Sequence, residues 1–204
     1  LLYREPPHYI TLGKELPAKA LDEILTDHAE VFTELKEYYK QTSESETTKI
    51  SFYEDTYSLY NLYRFAHYYE EAYGKYIWLK SGASLVIEHT EAMTVIDVNT
   101  GSVLKKKKQE DTLFYQINRE AAKEIARQLR LRNISGIIMI DFINMKDTAQ
   151  KEKLLSLLDS ECKKDRVHCN VIDMTALNLV EMTRSKVRKP LHEQIRFCMK
   201  NNRS

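Results

Sequence analysis

Met93-Thr-Val-Ile-Asp-Val-Asn-Thr-Gly101 is the stretch whose reading decides the fold. Met93 to Ile96 is strand-like, and Asp97, Val98, Asn99 and a Thr-Gly turn follow. Side chains two apart on a strand share a face, so Asp97 and Asn99 would project together from its end. A second apolar run, Ile137–Ile140, ends in Asp141 in the same manner. Two carboxylates at the ends of buried strands are a simple way to build a hard-cation site in an α/β fold. A strand-end aspartate also serves as a cap or turn residue, so spacing alone leaves both readings open.

Between these strands lies the longest helix signal, Thr112–Arg132, with Leu113, Phe114, Ile117, Ala121, Ile125 and Leu129 on one stripe. Strand, helix and strand in succession suggest a βαβ crossover. Upstream, Ile77–Leu79, Ser84–His89 and Met93–Val98 read as strands of an antiparallel meander, with a turn at Ser81-Gly82. Downstream, Lys151–Lys164 reads as an amphipathic helix and Val167–Ile172 as a strand. Leu177–Lys186 reads as a short helix broken by Pro190, and Leu191–Met199 as a last helix.

In the first part of the chain, Glu30–Tyr39 and Ser58–Tyr73 have helical spacing, Lys49–Tyr53 alternates as a strand, and Thr42–Thr48 is a polar loop. The segment EILTD fits either a short strand or a helix turn. The tyrosines of the 58–73 stripe read as rings covering a core with wet hydroxyls, since nothing basic interleaves them as in a stacking platform.

The 204 residues suffice for one ordinary domain or two small ones with a core that needs no disulfide. No apolar run is long enough for a transmembrane segment, and no signal peptide is evident. The chain opens on Leu1 rather than Met and reads as a fragment of a longer one. Three cysteines, Cys162, Cys169 and Cys198, form no CxxC pair; the odd count suits a reducing, cytoplasmic setting rather than a disulfide framework or a zinc site. The net charge of +1 hides an asymmetry: residues 1–80 carry a net −5 and residues 81–204 a net +6. A polyanion would be drawn to the second part. There, Lys105, Lys106, Lys107 and Lys108 form either a solvated loop or a phosphate-contacting one, and Arg184 and Lys186 sit in another basic cluster. His89 reads as a surface strand residue, and Glu88 and Glu91 as a solvated strand end.

Three segments, SGASLVIEHTEAMTVIDVNTG, NREAAKEIARQLRLRNISGIIMIDF and LVEMTRSKVRKPL, together resemble the ribonuclease E/G family in order and spacing. The resemblance implies an α/β chain of two packed subdomains with mixed sheets flanked by helices. Residues 1–79 would be the C-terminal portion of an RNase-H-like subdomain, and residues 80–204 a DNase-I-like catalytic subdomain. It further implies a Mg²⁺-dependent endoribonuclease acting on single-stranded RNA to leave 5′-phosphate and 3′-hydroxyl ends. Asp97 and Asp141 would hold the metal and Asn99 would assist. A homodimer or higher oligomer through the DNase-I-like part is a further expectation. The alternative is a non-catalytic RNA-binding or assembly module that keeps the family's fold, because its S1 domain, 5′ sensor and CPxCxGxG zinc link are not in this sequence. Ala83, Asn144 and Asn178 depart from the family's usual Gly, Asp and Gly; Asn178 would tolerate a positive φ there.

Overall fold

A computed structural model describes residues 7, 9–11, 21–41, 48–101 and 110–194. The chain divides into two compact units, residues 1–67 and 68–204. The Lys105–Lys108 run, Cys198 and most of the expected loop at 42–48 and helix at 191–199 lie outside the described residues.

In the first unit, strand β1 (Glu23–Thr26), helix α1 (Ala29–Lys40) and strand β2 (Lys49–Phe52) follow one another, and the two strands pair in parallel. The ambiguous EILTD segment is therefore a strand. Leu35 and Tyr39 of α1 are buried with Ile10, and Ile24 and Ile50 pack against them. The expected single helix over 58–73 is two helices, α2 (Leu59–Leu62) in the first unit and α3 (Phe65–Tyr73), most of whose residues belong to the second. Arg64 lies between them at φ 52, a left-handed conformation that ends one helix before the next begins. The expected burial of the rings also fails: Tyr63, Tyr69 and Tyr73 are all exposed, and Leu59 and Ala72 are the buried positions.

The second unit is built on a six-stranded sheet. Its strands are β3 (Tyr76–Trp78), β4 (Ser84–His89), β5 (Met93–Asn99), β6 (Gly136–Asp141), β7 (Cys169–Met174) and β8 (Leu179–Arg184), in the order β3-β4-β5-β6-β8-β7. β3, β4 and β5 form the expected antiparallel meander. Helix α4 (Glu110–Leu131) then carries the chain over to β6, which lies parallel to β5. Helix α5 (Thr148–Cys162) leads from β6 to β7. The mixed α/β class expected from sequence is the one observed.

One segment differs. Leu177–Lys186 is not helical; it contains β8, antiparallel to both β6 and β7. Its burial alternates strictly, with Val180, Met182 and Arg184 inside. A strand between two ladders satisfies every backbone group, which outweighs weak local helical spacing.

The sheet has two unlike faces. One carries Leu85, Ile87, Ile96, Val98, Ile138, Ile140, Val180 and Met182 into a core shared with Ile117, Ala121, Ile125 and Leu129 of α4 and Leu154 and Leu158 of α5. Ala121, Ala122 and Ala126 are buried beside these, and their small side chains allow close approach of the helix. Alternation along each strand assigns Asp97, Asn99, Met139, Asp141 and Glu181 to the opposite face. No described helix is long and apolar enough to cross a membrane.

Candidate active site

Because β5 and β6 are parallel, their C-terminal ends lie at one edge of the sheet. Their register pairs Asp97 directly with Asp141. Neighbouring strands stand about 4.8 Å apart, so the two carboxylates are held side by side by the backbone ladder. Asn99, two residues on, donates from Nδ2 to Asp97 Oδ2 at 2.7 Å, which fixes both side chains. Burial and then the charge of Asp97 push the Asp141 carboxyl above the usual aspartate range. Two carboxylates at this spacing repel, and a hard cation placed between them would relieve the repulsion. Mg²⁺ is commonly held by one or two carboxylates, with water and substrate oxygens completing its shell, so this donor set fits it. Among the described residues no group of three or more His, Cys, Asp or Glu side chains forms a metal cluster, which a structural zinc would require.

The two loops beside this pair are anchored by α4. Asn118 is fully buried; its Nδ2 donates to Ile143 O at 2.7 Å and its Oδ1 accepts from Ile143 N at 3.0 Å. It thereby fixes the chain two residues beyond Asp141. Glu120 accepts from Lys80 N at 2.7 Å and Ser81 N at 3.2 Å, holding the Ser81-Gly82 turn. That turn meets the other end of the site. Gly101 has φ +58, and a Cβ on it would lie 2.6 Å from Gly82 O, so only glycine fits where β5 leaves the sheet. The sequence reading missed Asn118 and Glu120. The signal available was in mid-helix: Asn118 sits beside Ile117 and Ala121 of the apolar stripe, and Glu120 follows two residues on.

The remaining expected residues are distributed differently. Arg184 is 4 % exposed and committed to the protein: Nε pairs with Asp165 Oδ2 at 2.9 Å, and Nη1 donates to Asn133 Oδ1 and Ile134 O, each at 2.9 Å. It lies on the core face, away from the aspartates. Lys186 is exposed, with Nζ 4.0 Å from Glu193 Oε1. Glu88 pairs with Lys75, and Glu91 is exposed. His89 stacks on His192 with ring centres 3.9 Å apart and meets Thr94 Oγ1 through Nδ1 at 3.0 Å, on the core face rather than beside Asp97. Asn178 adopts φ 64 in the turn between β7 and β8, and its Oδ1 accepts from Lys151 Nζ at 2.6 Å. Asparagine thus supplies the positive φ considered for this position. Asn144 is exposed.

A profile of the Ribonuclease E/G family matches residues 1–187. The chain belongs to the ribonuclease E/G family. It is 37% identical over 190 residues to ribonuclease G of Haemophilus influenzae, covering 93% of this chain and 38% of that protein. Ribonuclease G of Escherichia coli is 38% identical over 171 residues, 84% of this chain and 35% of its own length. Ribonuclease E of a Nostoc species is 32% identical over 196 residues, 95% of this chain and 28% of its own. The chain therefore spans between 28% and 38% of the length of these relatives. The segments behind the family resemblance hold the parallel β5–β6 pair, the larger part of the helix that connects it, and β8.

Proposed function

We propose that this chain carries the catalytic core of a Mg²⁺-dependent endoribonuclease, which hydrolyses single-stranded RNA to 5′-phosphate and 3′-hydroxyl ends during RNA processing or decay. The observation that supports it most is the in-register pairing of Asp97 with Asp141, with Asn99 bonded to the first. In this reading residues 80–204 are the DNase-I-like catalytic subdomain and residues 1–79 the RNase-H-like portion. The protein works in the cytoplasm, and its DNase-I-like part is the one that would join subunits.

Asp97 and Asp141 would hold the Mg²⁺. When bound, the ion supplies a water of lowered pKa and neutralises charge on the phosphate. The chain's own residues set the geometry. The β5–β6 ladder fixes both carboxylates. The Asn99 amide keeps Asp97 in one rotamer, and Asn118 and Glu120 hold the flanking loops. In hydrolysis the water oxygen bonds to phosphorus and the bond to O3′ breaks, so the phosphate stays on the 5′ side of the downstream fragment. Lys105, Lys106, Lys107 and Lys108 follow the Asp97 strand in sequence, and their charge suits phosphate contacts.

The test is cleavage of a fluorescent single-stranded RNA with and without Mg²⁺, beside the Asp97→Asn/Asp141→Asn variant. Mg²⁺-dependent cleavage lost in the variant is the expected result. Equal cleavage by both proteins would overturn the site, and RNA binding without cleavage by the parent would instead make this a non-catalytic RNA-binding module.

A further inference from the structure

The open face of the sheet carries a second feature in line with the aspartates. Across the ladders, Tyr76 pairs with Val86, Val86 with Asp97 and Asp97 with Asp141. One step along, Trp78 pairs with Ser84 and Ser84 with Asn99. Tyr76 and Trp78 flank the buried Ile77, so both lie on the face that bears Asp97 and Asn99. Tyr76 is 60 % exposed and Trp78 is 73 % exposed, on the edge strand β3. Two strand spacings, about 9.6 Å, separate this edge from the Asp97 strand, and the two aromatics are roughly 6.6 Å apart along β3. Lys75 Nζ lies 5.8 Å from the centre of the Tyr76 ring.

We propose that Tyr76 and Trp78 form a stacking platform for bases of the single-stranded RNA next to the scissile phosphate. The proposal rests on the ribonuclease reading above and adds to it a base-binding subsite. A flat sheet with exposed aromatics receives unpaired bases on their π-faces without reading their identity. The occupant follows from alignment: a strand whose phosphate sits at the Asp97–Asp141 pair, running along the register rows, places its adjoining nucleotides over Trp78 and Tyr76. The ring edges carry no formal charge, whereas the aspartate end is acidic. The platform therefore supplies affinity where the acidic end alone repels the backbone.

Trp78 is the sole tryptophan of the chain, so its emission reports on the site directly. The experiment titrates a short oligoadenylate into the Asp97→Asn/Asp141→Asn protein, which prevents cleavage during the measurement, and repeats it with an abasic strand. Saturable quenching of Trp78 emission by the oligoadenylate, absent with the abasic strand, is expected. Trp78→Ala and Tyr76→Ala, measured by a labelled strand, should each weaken binding roughly 5- to 150-fold, with Trp78→Phe retaining more than Trp78→Ala. In the cleaving protein Trp78→Ala should raise KM with kcat unchanged. Both positions are exposed, so the variants are expected to keep the parent's unfolding transition. Unchanged affinity in both variants, or equal quenching by the abasic strand, would overturn the platform. Quenching that grows with protein concentration in the absence of RNA would instead mark an interface between copies of the chain and overturn it equally. Mg²⁺-dependent cleavage with an unaltered KM in Trp78→Ala refutes the platform and leaves the nuclease. Base-dependent quenching with no cleavage by the parent refutes the nuclease and leaves the platform.

Discussion

Replacing Asn118 by leucine tests the idea that α4 anchors the loop beyond Asp141. The substitution keeps similar volume, so a cavity contributes little, but it leaves two backbone groups of Ile143 without their partners. A buried group left unpaired costs about 1–3 kcal/mol. Ile143 is only part-buried, so water can reach it after a small shift, and the net loss is taken as about 2–4 kcal/mol. For a chain of this size that is a fall in Tm of roughly 4–16 °C. The loss would come from a total stability of about 5–15 kcal/mol. Urea unfolding followed by circular dichroism measures it. Asn118→Asp keeps the oxygen that accepts from Ile143 N and loses the donor to Ile143 O, while burying a charge. It should therefore not rescue the stability. Because the loop starts at Asp141, the folded fraction of Asn118→Leu should also need more Mn²⁺ for half-saturation, read by the paramagnetic signal of the free ion. An unfolding free energy for Asn118→Leu within about 0.5 kcal/mol of the parent, the range of an ordinary surface change, would refute the anchoring argument.

Arg184→Ala should lower stability by roughly 3–5 kcal/mol in urea unfolding, because it leaves Asp165 buried and unpaired, while RNA affinity of the folded fraction stays unchanged; the reverse pattern would make Arg184 a phosphate contact. Asp97→Asn should move the Asp141 carboxyl titration, followed by carbon NMR in metal-free protein, down towards the usual aspartate range while leaving it raised by burial. A carboxyl with a raised folded pKa contributes stability below the unfolded value and loses it as pH rises through the folded one, so the metal-free parent should gain stability on mild acidification relative to Asp97→Asn. A midpoint for Asp141 unmoved by the substitution would refute the like-charge pairing.

The parts of this fold that were legible in sequence are those whose pattern is local. Thr94, Ile96 and Val98 alternate with Asp97 and Asn99 over seven residues, which marks both the strand and its two faces. The stripe of α4 recurs from Leu113 to Leu129 within a helix of 22 residues and leaves no ambiguity of period. The segment ending at Arg184 was different. Leu177, Val180, Glu181 and Arg184 satisfy a helical spacing as readily as a strand, and pairing with β6 and β7, not local preference, decides between them. The same error misplaced Arg184 chemically. Read as one of a basic cluster it faces solvent, but a strand alternation puts it beside Val180 and Met182 against Asp165. The break at Arg64 carries no glycine or proline to announce it. Asn118 and Glu120 bond to groups 25 and 40 residues away, so no window along the chain contains both partners.

The position of the aspartates depends on the direction of one strand more than on either residue. β5–β6 is the one parallel pair among the described strands of the six-stranded sheet. A hairpin at this point would have run β6 the other way and placed its last residue at the opposite edge of the sheet, several residues from Asp97. A parallel neighbour needs a crossover long enough to return the chain to the starting edge, and α4 supplies it. Once present, the crossover helix packs its apolar stripe on one face and leaves the other uncovered by it. Its polar residues Asn118 and Glu120 then fall where the strands β3 and β6 emerge, and tie those emerging loops to the helix. The topology that brings two like charges together thus also supplies the rigid support that holds them against their repulsion. A site held on strands by a ladder is better fixed than one held on loops, which is what two repelling carboxylates require.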